Sequence, residues 1–310
     1  MSLAATRDVT SARMRRIRPA QLAEHRAAWL LATPSLIAIV LFVVGPTLAV
    51  VVMAFTDGQM GQASFGFAGL DNFAEVFGDR VFRISALNTL SYGLMVTPAS
   101  VALGLWLAVT IESLPSGRAF FRSSFFLPVV STTVAMAVVW EFVLHPTLGP
   151  VNAALQLLGL PRQNFLSDAR MVLPTLAVIG IWENAGFNMV LFMAGLKAIP
   201  RDLYEAGAVE GADRGWERFW YITLPLLGPT LVFVVVISFL RSFRVFDTIA
   251  TLTQGGPRRA SEVLLYTIYQ EGFVFFRIGY ASALSLVFLA ILLGLTLLQV
   301  RMMEKKVHYS

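Results

Sequence analysis

Six apolar stretches recur along the whole 310-residue chain, each as long as the roughly 20 residues that a helix needs to cross a hydrocarbon core. They run from about Ala28 to Phe55, Ile84 to Ile111, Ser123 to Leu144, Met171 to Leu196, Ile222 to Phe246 and Gly279 to Val300. In lipid every backbone N–H and C=O must find a partner inside the protein, and a continuous apolar run of this length does so as an α-helix. The expectation is an all-α integral membrane protein of six transmembrane helices. Composition agrees, because only 14% of the residues are charged and 56% are hydrophobic, against about 25% charged in soluble domains. Pro46, Pro98, Pro128 and Pro229 lie inside or beside the spans and predict kinks.

The net charge of +5 in a soluble chain would suggest nucleic acid. Here the lipid bilayer is the partner that the composition implies, and no nucleic acid is expected, because membrane proteins concentrate Lys and Arg in cytoplasmic segments. Fifteen of the 24 basic residues fall in one set of segments: six before the first span, Arg118 and Arg122, then Lys197, Arg201, Arg214 and Arg218, and finally Arg301, Lys305 and Lys306. This asymmetry predicts cytoplasmic termini and places the loops near Phe65, Arg162 and Gly256 outside. The basic start could open a signal peptide, but the apolar run after Trp29 is too long for one and five further spans follow. Without cysteine there is no disulfide, thiolate nucleophile or Cys-bound zinc, and His25, His145 and His308 have no metal-ligand spacing.

Between spans four and five, residues 199–225 are too polar to insert. Pro200 suits a first helical turn, Asp202 and Glu205 suit a helix N-terminus, and Gly211 offers a stop. The segment reads as a helix-turn-helix suited to docking in a partner's groove. A solvated loop is the simpler alternative.

At this segment the chain resembles the membrane-spanning permeases of binding-protein-dependent ABC importers. Their signature is Glu-Ala-Ala, three residues, Gly, nine residues, Ile, one residue, Leu-Pro, and it is matched here at Glu205, Ala206, Gly211, Ile222, Leu224 and Pro225. Gly207 replaces the second Ala, and ten residues rather than nine separate Gly211 from Ile222, with the extra one expected near Gly215. The likeness covers nearly the whole chain and is closest to the carbohydrate branch, notably disaccharide and glycerol-3-phosphate or glycerophosphodiester permeases. It is carried by Gly69-Leu70-Asp71-Asn72-Phe73, Phe126-Leu127-Pro128, Gly186-Phe187-Asn188-Met189, Gly255-Gly256-Pro257 and Gly279-Tyr280-Ala281-Ser282-Ala283, in that order.

The resemblance implies a permease domain over residues 28–301, with a basic cytoplasmic segment at 1–27 and a cytoplasmic tail at 302–310. It implies an ATPase-coupling segment at about 199–221, with Glu205, Ala206, Gly207, Gly211, Ala212 and Asp213 at its centre. No Gly-x-x-x-x-Gly-Lys-Ser/Thr phosphate loop occurs in the sequence. The implied partners are therefore two ATPase subunits that bind ATP and Mg2+, a second homologous permease chain and an extracytoplasmic solute-binding protein.

Ionisable residues inside a bilayer face protein or a water-filled path by default. Glu183 sits about halfway along span four beside Trp182 and Asn184, with Asn188 one helical turn beyond Asn184. Amides and carboxylates bind hydroxyls and aromatic faces cover sugar C–H surfaces, so these residues are candidates for the solute path. An interhelical polar clasp is the alternative. Glu141, beside Trp140, lies near the outer end of span three and could instead reach the interface. Arg241, Arg244 and Asp247 recur every three residues and are expected on one face of span five, either as an Arg244–Asp247 pair or as a positive vestibule for a phosphate-bearing solute. A membrane-embedded enzyme using Glu183 would need a nucleophile–base pair or metal set that the sequence does not offer. A self-sufficient secondary transporter or channel would need no docking segment.

Overall fold

The computed structural model describes residues 19–59, 61–62, 65–212 and 215–304, without the side chains of 19–26 and 303–304. Asp213 and Arg214, most of the basic N-terminal segment, and Lys305, Lys306 and His308 therefore lie outside the described residues. The chain divides into two compact units, residues 1–52 and 53–310.

The described part of the first unit is helical: α1 (Pro19–Ile39), a wide π turn at Val40–Val44, and α2 (Gly45–Met53), which ends one residue into the second unit. Together they supply an apolar span, Ala27–Met53. Pro46 has no N–H to give the carbonyl four residues back, and Gly45 instead donates to Val40 O across the widened turn. The expected kink at Pro46 thus takes the form of a π turn.

The second unit continues through α3 (Asp71–Gly78), α4 (Arg80–Ser113), α5 (Arg118–Val130), α6 (Thr133–Val143), α7 (Pro150–Leu157) and α8 (Val172–Ala198). Next come α9 (Arg201–Val209), α10 (Gly215–Arg218), a π turn at Phe219–Thr223, α11 (Leu224–Leu226) and α12 (Gly228–Phe243). The unit closes with α13 (Asp247–Leu252), α14 (Leu264–Tyr269), a π turn at Gln270–Val274 and α15 (Ile278–Glu304). Across the described residues, five helices are long and apolar enough to cross a membrane, or six if α5 and α6 form one bent span.

Three expectations about the spans are corrected. Span three is not one helix from Ser123 to Leu144: α5 runs on through Pro128 to Val130, and α6 leaves it at 101° after the extended Ser131 and Thr132. Span five begins at Gly228 rather than Ile222, because the π turn precedes it and Pro229 starts its helix instead of kinking it. Finally, α12 ends at Phe243, and Arg244 has left the helix at φ −92°, ψ 17°. Arg241, Arg244 and Asp247 therefore do not share one helical face. Pro98 lies within the continuous α4.

The core is built on α4 and α8. Gly104 of α4 lies against Ala185, Asn188 and Met189 of α8, where a Cβ would collide with the neighbouring helix, the close approach that small residues permit in membrane bundles. Around this seam Val101, Leu107, Ile111, Met189, Phe192 and Val234 form one buried cluster, and Tyr92, Val96, Leu176, Ile249, Val263 and Tyr266 a second. Leu87, Leu94 and Trp106 of α4 and Val178 of α8 remain more than half exposed, as lipid-facing residues do where hydrophobicity drives no burial.

The starts of α4 and α15 are tied by one carboxylate. Asp79 accepts from Val81 N–H through Oδ1 at 2.8 Å, capping α4, and from the Tyr280 hydroxyl through Oδ2 at 2.7 Å. Beside it, Arg277 pairs with Glu75 and with Glu271, the latter at 3.2 Å.

Candidate functional site

Where α5 and α6 part, the bundle opens a cleft of about 110 Å³ lined by Tyr92, Thr133, Glu183, Asn184, Arg241 and the 242–248 segment except Phe243. Five elements contribute: α4 brings Tyr92, α6 its first residue Thr133, α8 the Glu183-Asn184 pair, the end of α12 Arg241 and Ser242, and the start of α13 Asp247 and Thr248. The break in span three and the early end of α12 create this opening, since continuous helices would fill it with their own backbones.

Arg241 is held from two sides. Its Nε donates to Asn184 Oδ1 at 2.9 Å, and its guanidinium lies 4.4 Å from the centre of the Phe187 ring. The Asn184 amide in turn donates to Gly180 O at 2.8 Å. No hydrogen bond to the Arg241 Nη atoms forms among the described residues, nor any ion pair between Arg241 and Glu183 or Asp247. Arg244 and Asp247 also line the cleft, both exposed and not paired with each other.

Next to the cleft, Trp140 and Trp182 meet edge to face with centroids 5.5 Å apart. With Glu183, Ser131 and Thr133 they enclose a pocket of about 10 Å³, room for about one water. The buried Trp140 Nε1 has no hydrogen-bond partner among the described residues. Glu141, one residue on, is exposed and lines neither space.

Asn188 does not join Glu183. It is fully buried, donating to Ser100 Oγ at 3.3 Å and accepting from Ser238 Oγ at 2.8 Å, so it clasps α4, α8 and α12 together. Of the residues expected along the path, Trp182, Glu183, Asn184, Arg241, Arg244 and Asp247 converge, whereas Asn188 and Glu141 stand apart. Tyr92 and Thr133 belong to the cleft although no sequence signal marked them. A lone Tyr in an apolar span has no distinguishing spacing, and Thr133 matters only because the helix breaks before it.

The polar segment between α8 and α12 has its own geometry. The end of α9 is a Schellman turn: Ala212 N–H bonds Gly207 O at 2.8 Å, Gly211 N–H bonds Ala208 O at 3.3 Å, and Gly211 adopts φ +94°. Gly211 is thus the stop expected from sequence. Gly207 faces Ile222, whose Cδ1 occupies the space that a Cβ would take. Pro225 cannot donate to Tyr221 O, and Leu224 N–H instead reaches Phe219 O across a π turn. A π turn takes up one residue more than an α turn. This π turn lies at Phe219–Thr223, and Gly215, at the start of α10, adopts φ +69°. Leu203, Glu205, Ala206 and Val209 on α9 are exposed, and Arg218 lies over the Tyr204 ring at 4.1 Å.

Long apolar helices thus gather around a cleft lined by four charged side chains, the architecture of an integral membrane bundle. The chain belongs to the family of binding-protein-dependent transport system inner membrane components, whose profile matches residues 28–308. It is similar to the sn-glycerol-3-phosphate transport system permease protein UgpA of Agrobacterium fabrum, 33% identical over 91% of this chain and 96% of that one. The protein of the same name from Rhizobium meliloti is 32% identical over the same shares. Among solved structures, a bacterial alginate ABC transporter in complex with an alginate pentasaccharide-bound periplasmic protein has a chain that superposes with a TM-score of 0.82 at 25% identity. That match covers 94% of this chain and 98% of the other. The family is one of transport permease subunits, not of enzymes.

Proposed function

We propose that this chain forms, with a second homologous permease, the translocation path of an ABC importer for a sugar or glycerol-3-phosphate-type solute. The observation that carries this reading is the exposed α9, closed by its Schellman turn and packed through Gly207 on Ile222 at the entry to α12. A rigid helix so placed passes a push from a partner directly into span five. The reading takes α5 and α6 as one bent span, giving six, with the permease domain at 28–301 and cytoplasmic segments at 1–27 and 302–310. In it, α9 is the ATPase-coupling helix, around Glu205, Ala206, Gly207, Gly211, Ala212 and Asp213. Two ATPase subunits bind ATP and Mg2+, and an extracytoplasmic binding protein delivers the solute at the opposite face. Their closure switches the bundle between inward and outward openings, the general logic of alternating access.

Two variants test the coupling role. Glu205→Ala removes an exposed carboxylate, and Gly211→Asp places a side chain at a positive φ, which costs about 1–2 kcal/mol. Both are expected to leave the chain inserted while ATPase co-purification and solute uptake fall. Full association and wild-type uptake in both would refute the assignment. Cysteines near Phe65, Arg162 and Gly256 that react with an impermeant thiol reagent only after lysis would reverse the orientation.

A further inference from the structure

The cleft has an electrostatic asymmetry beyond its general polarity. Its side-chain charges balance, with Arg241 and Arg244 against Glu183 and Asp247, so net charge does not decide what it takes. Unsatisfied donors do. Arg241 spends Nε on Asn184 and its flat face on Phe187, leaving its Nη atoms without a partner among the described residues. Tyr92 is only 3% exposed and lines the cleft, yet its hydroxyl makes no hydrogen bond among the described residues. The Tyr92 oxygen is not among the sealed polar atoms, so it is open to the cleft and can donate to a group bound there. Thr133, the first residue of the 11-residue α6, lines the same cleft, and no side chain caps that helix at Thr132. An uncapped helix N-terminus offers free N–H groups and the positive end of the dipole, the arrangement by which broken membrane helices hold anionic groups.

We propose that Arg241, Tyr92 and the start of α6 form an anion subsite, which holds a compact oxyanion, phosphoryl or carboxylate, carried by the transported solute. Glu183, on the Trp140–Trp182 side, faces the remainder of the solute and accepts from its hydroxyls. The break in span three is then part of the binding site, because a continuous helix would have paired these N–H groups internally. This inference rests on the cleft lying on the solute path.

The test uses the complete transporter, co-expressed with its partner chains and reconstituted in phosphatidylcholine nanodiscs so that no anionic headgroup competes. Apparent affinity is read from ligand-induced thermal stabilisation with two matched pairs: sn-glycerol 3-phosphate against glycerol, and glucuronate against glucose. At least one anion is expected to stabilise the wild type where its neutral counterpart does not. Tyr92→Phe, which keeps the ring, is expected to weaken that anion roughly tenfold, and Arg241→Gln roughly a hundredfold. Equal responses to anion and neutral counterpart would overturn the proposal, as would unchanged affinity in Tyr92→Phe and Arg241→Gln together. Loss of the wild-type response on adding phosphatidylglycerol would assign the subsite to a lipid headgroup and equally overturn it. ATPase co-purification from the same samples separates the two failures: retained association leaves the permease reading intact when the subsite fails, and absent association in the wild type removes the permease reading itself.

Discussion

Arg241 donates from Nε to Asn184 Oδ1 at 2.9 Å, tying the last turn of α12 to the middle of α8. A hydrogen bond to a charged group contributes about 1.5–3 kcal/mol to stability. Because Arg241 is only half-buried, a value near the lower end is expected. A double-mutant cycle of Arg241→Gln and Asn184→Ala, measured by unfolding of the purified chain, should give a coupling energy of about 1 kcal/mol or more. Strict additivity would mean that the two side chains do not support each other.

Asn188 one turn further on does different work. Its amide joins Ser100 and Ser238 with no exposure, holding α4, α8 and α12 together. Interhelical hydrogen bonds of this kind average about 0.6 kcal/mol in membranes. Asn188→Ala should lower thermal stability by about 1–2 kcal/mol, since it also leaves the buried Ser238 hydroxyl unpaired, whereas Ser100 keeps its bond to Thr97 O. The transported solute's apparent affinity should not change, and a large rise in KM at unchanged stability would place Asn188 on the path instead.

Gly207 and Ile222 make a paired prediction. A Cβ at Gly207 would collide with Ile222 Cδ1, so Gly207→Ala should shift α9 against the π turn and reduce ATPase association several-fold. Valine lacks the δ-methyl. Adding Ile222→Val to Gly207→Ala should therefore recover association, as measured by co-purification. A double variant no better than the single one would show that the defect does not arise from this contact.

Glu262 is buried in the loop before α14, where it pairs with Arg259 at 3.5 Å and accepts from Thr267 Oγ1 at 3.2 Å. Burial raises its pKa, and Arg259 and Thr267 only partly oppose the shift. A carboxylate whose folded pKa is raised binds protons more readily in the folded state. Its contribution to stability is full below the unfolded value and is lost as pH rises through the folded one. Glu262→Gln should therefore gain stability relative to wild type as pH rises from about 4 toward neutrality, the unfolded Glu value being about 4.3. Thermal unfolding at several pH values checks this, and parallel pH profiles would contradict it.

Much of this protein was legible in its sequence, because lipid imposes a one-dimensional rule. Apolar runs long enough to cross must be helices, and spans one, two, four and six lie close to the residues expected from hydropathy. Gly211 was legible for a similar reason, since a left-handed helix stop is a local matter that glycine satisfies by itself. Glu183 was legible as an ionisable residue in an apolar run.

What the tertiary structure decided is which polar residues meet. Glu183 and Asn188 lie on the same helix five residues apart, yet one opens on a cleft and the other is sealed between α4 and α12. No property of the α8 sequence separates them, because the difference lies in what the neighbouring helices bring. The same holds for the end of α12 before Arg244 and for the break at Ser131–Thr132, which a span-length hydropathy window passes over because Leu127–Val130 and Val134–Trp140 on either side are apolar. Only the packing of α4, α6, α8 and α12 brings Tyr92, Thr133, Asn184 and Arg241 around one space. Contacts between residues so distant in sequence leave no local periodicity to read.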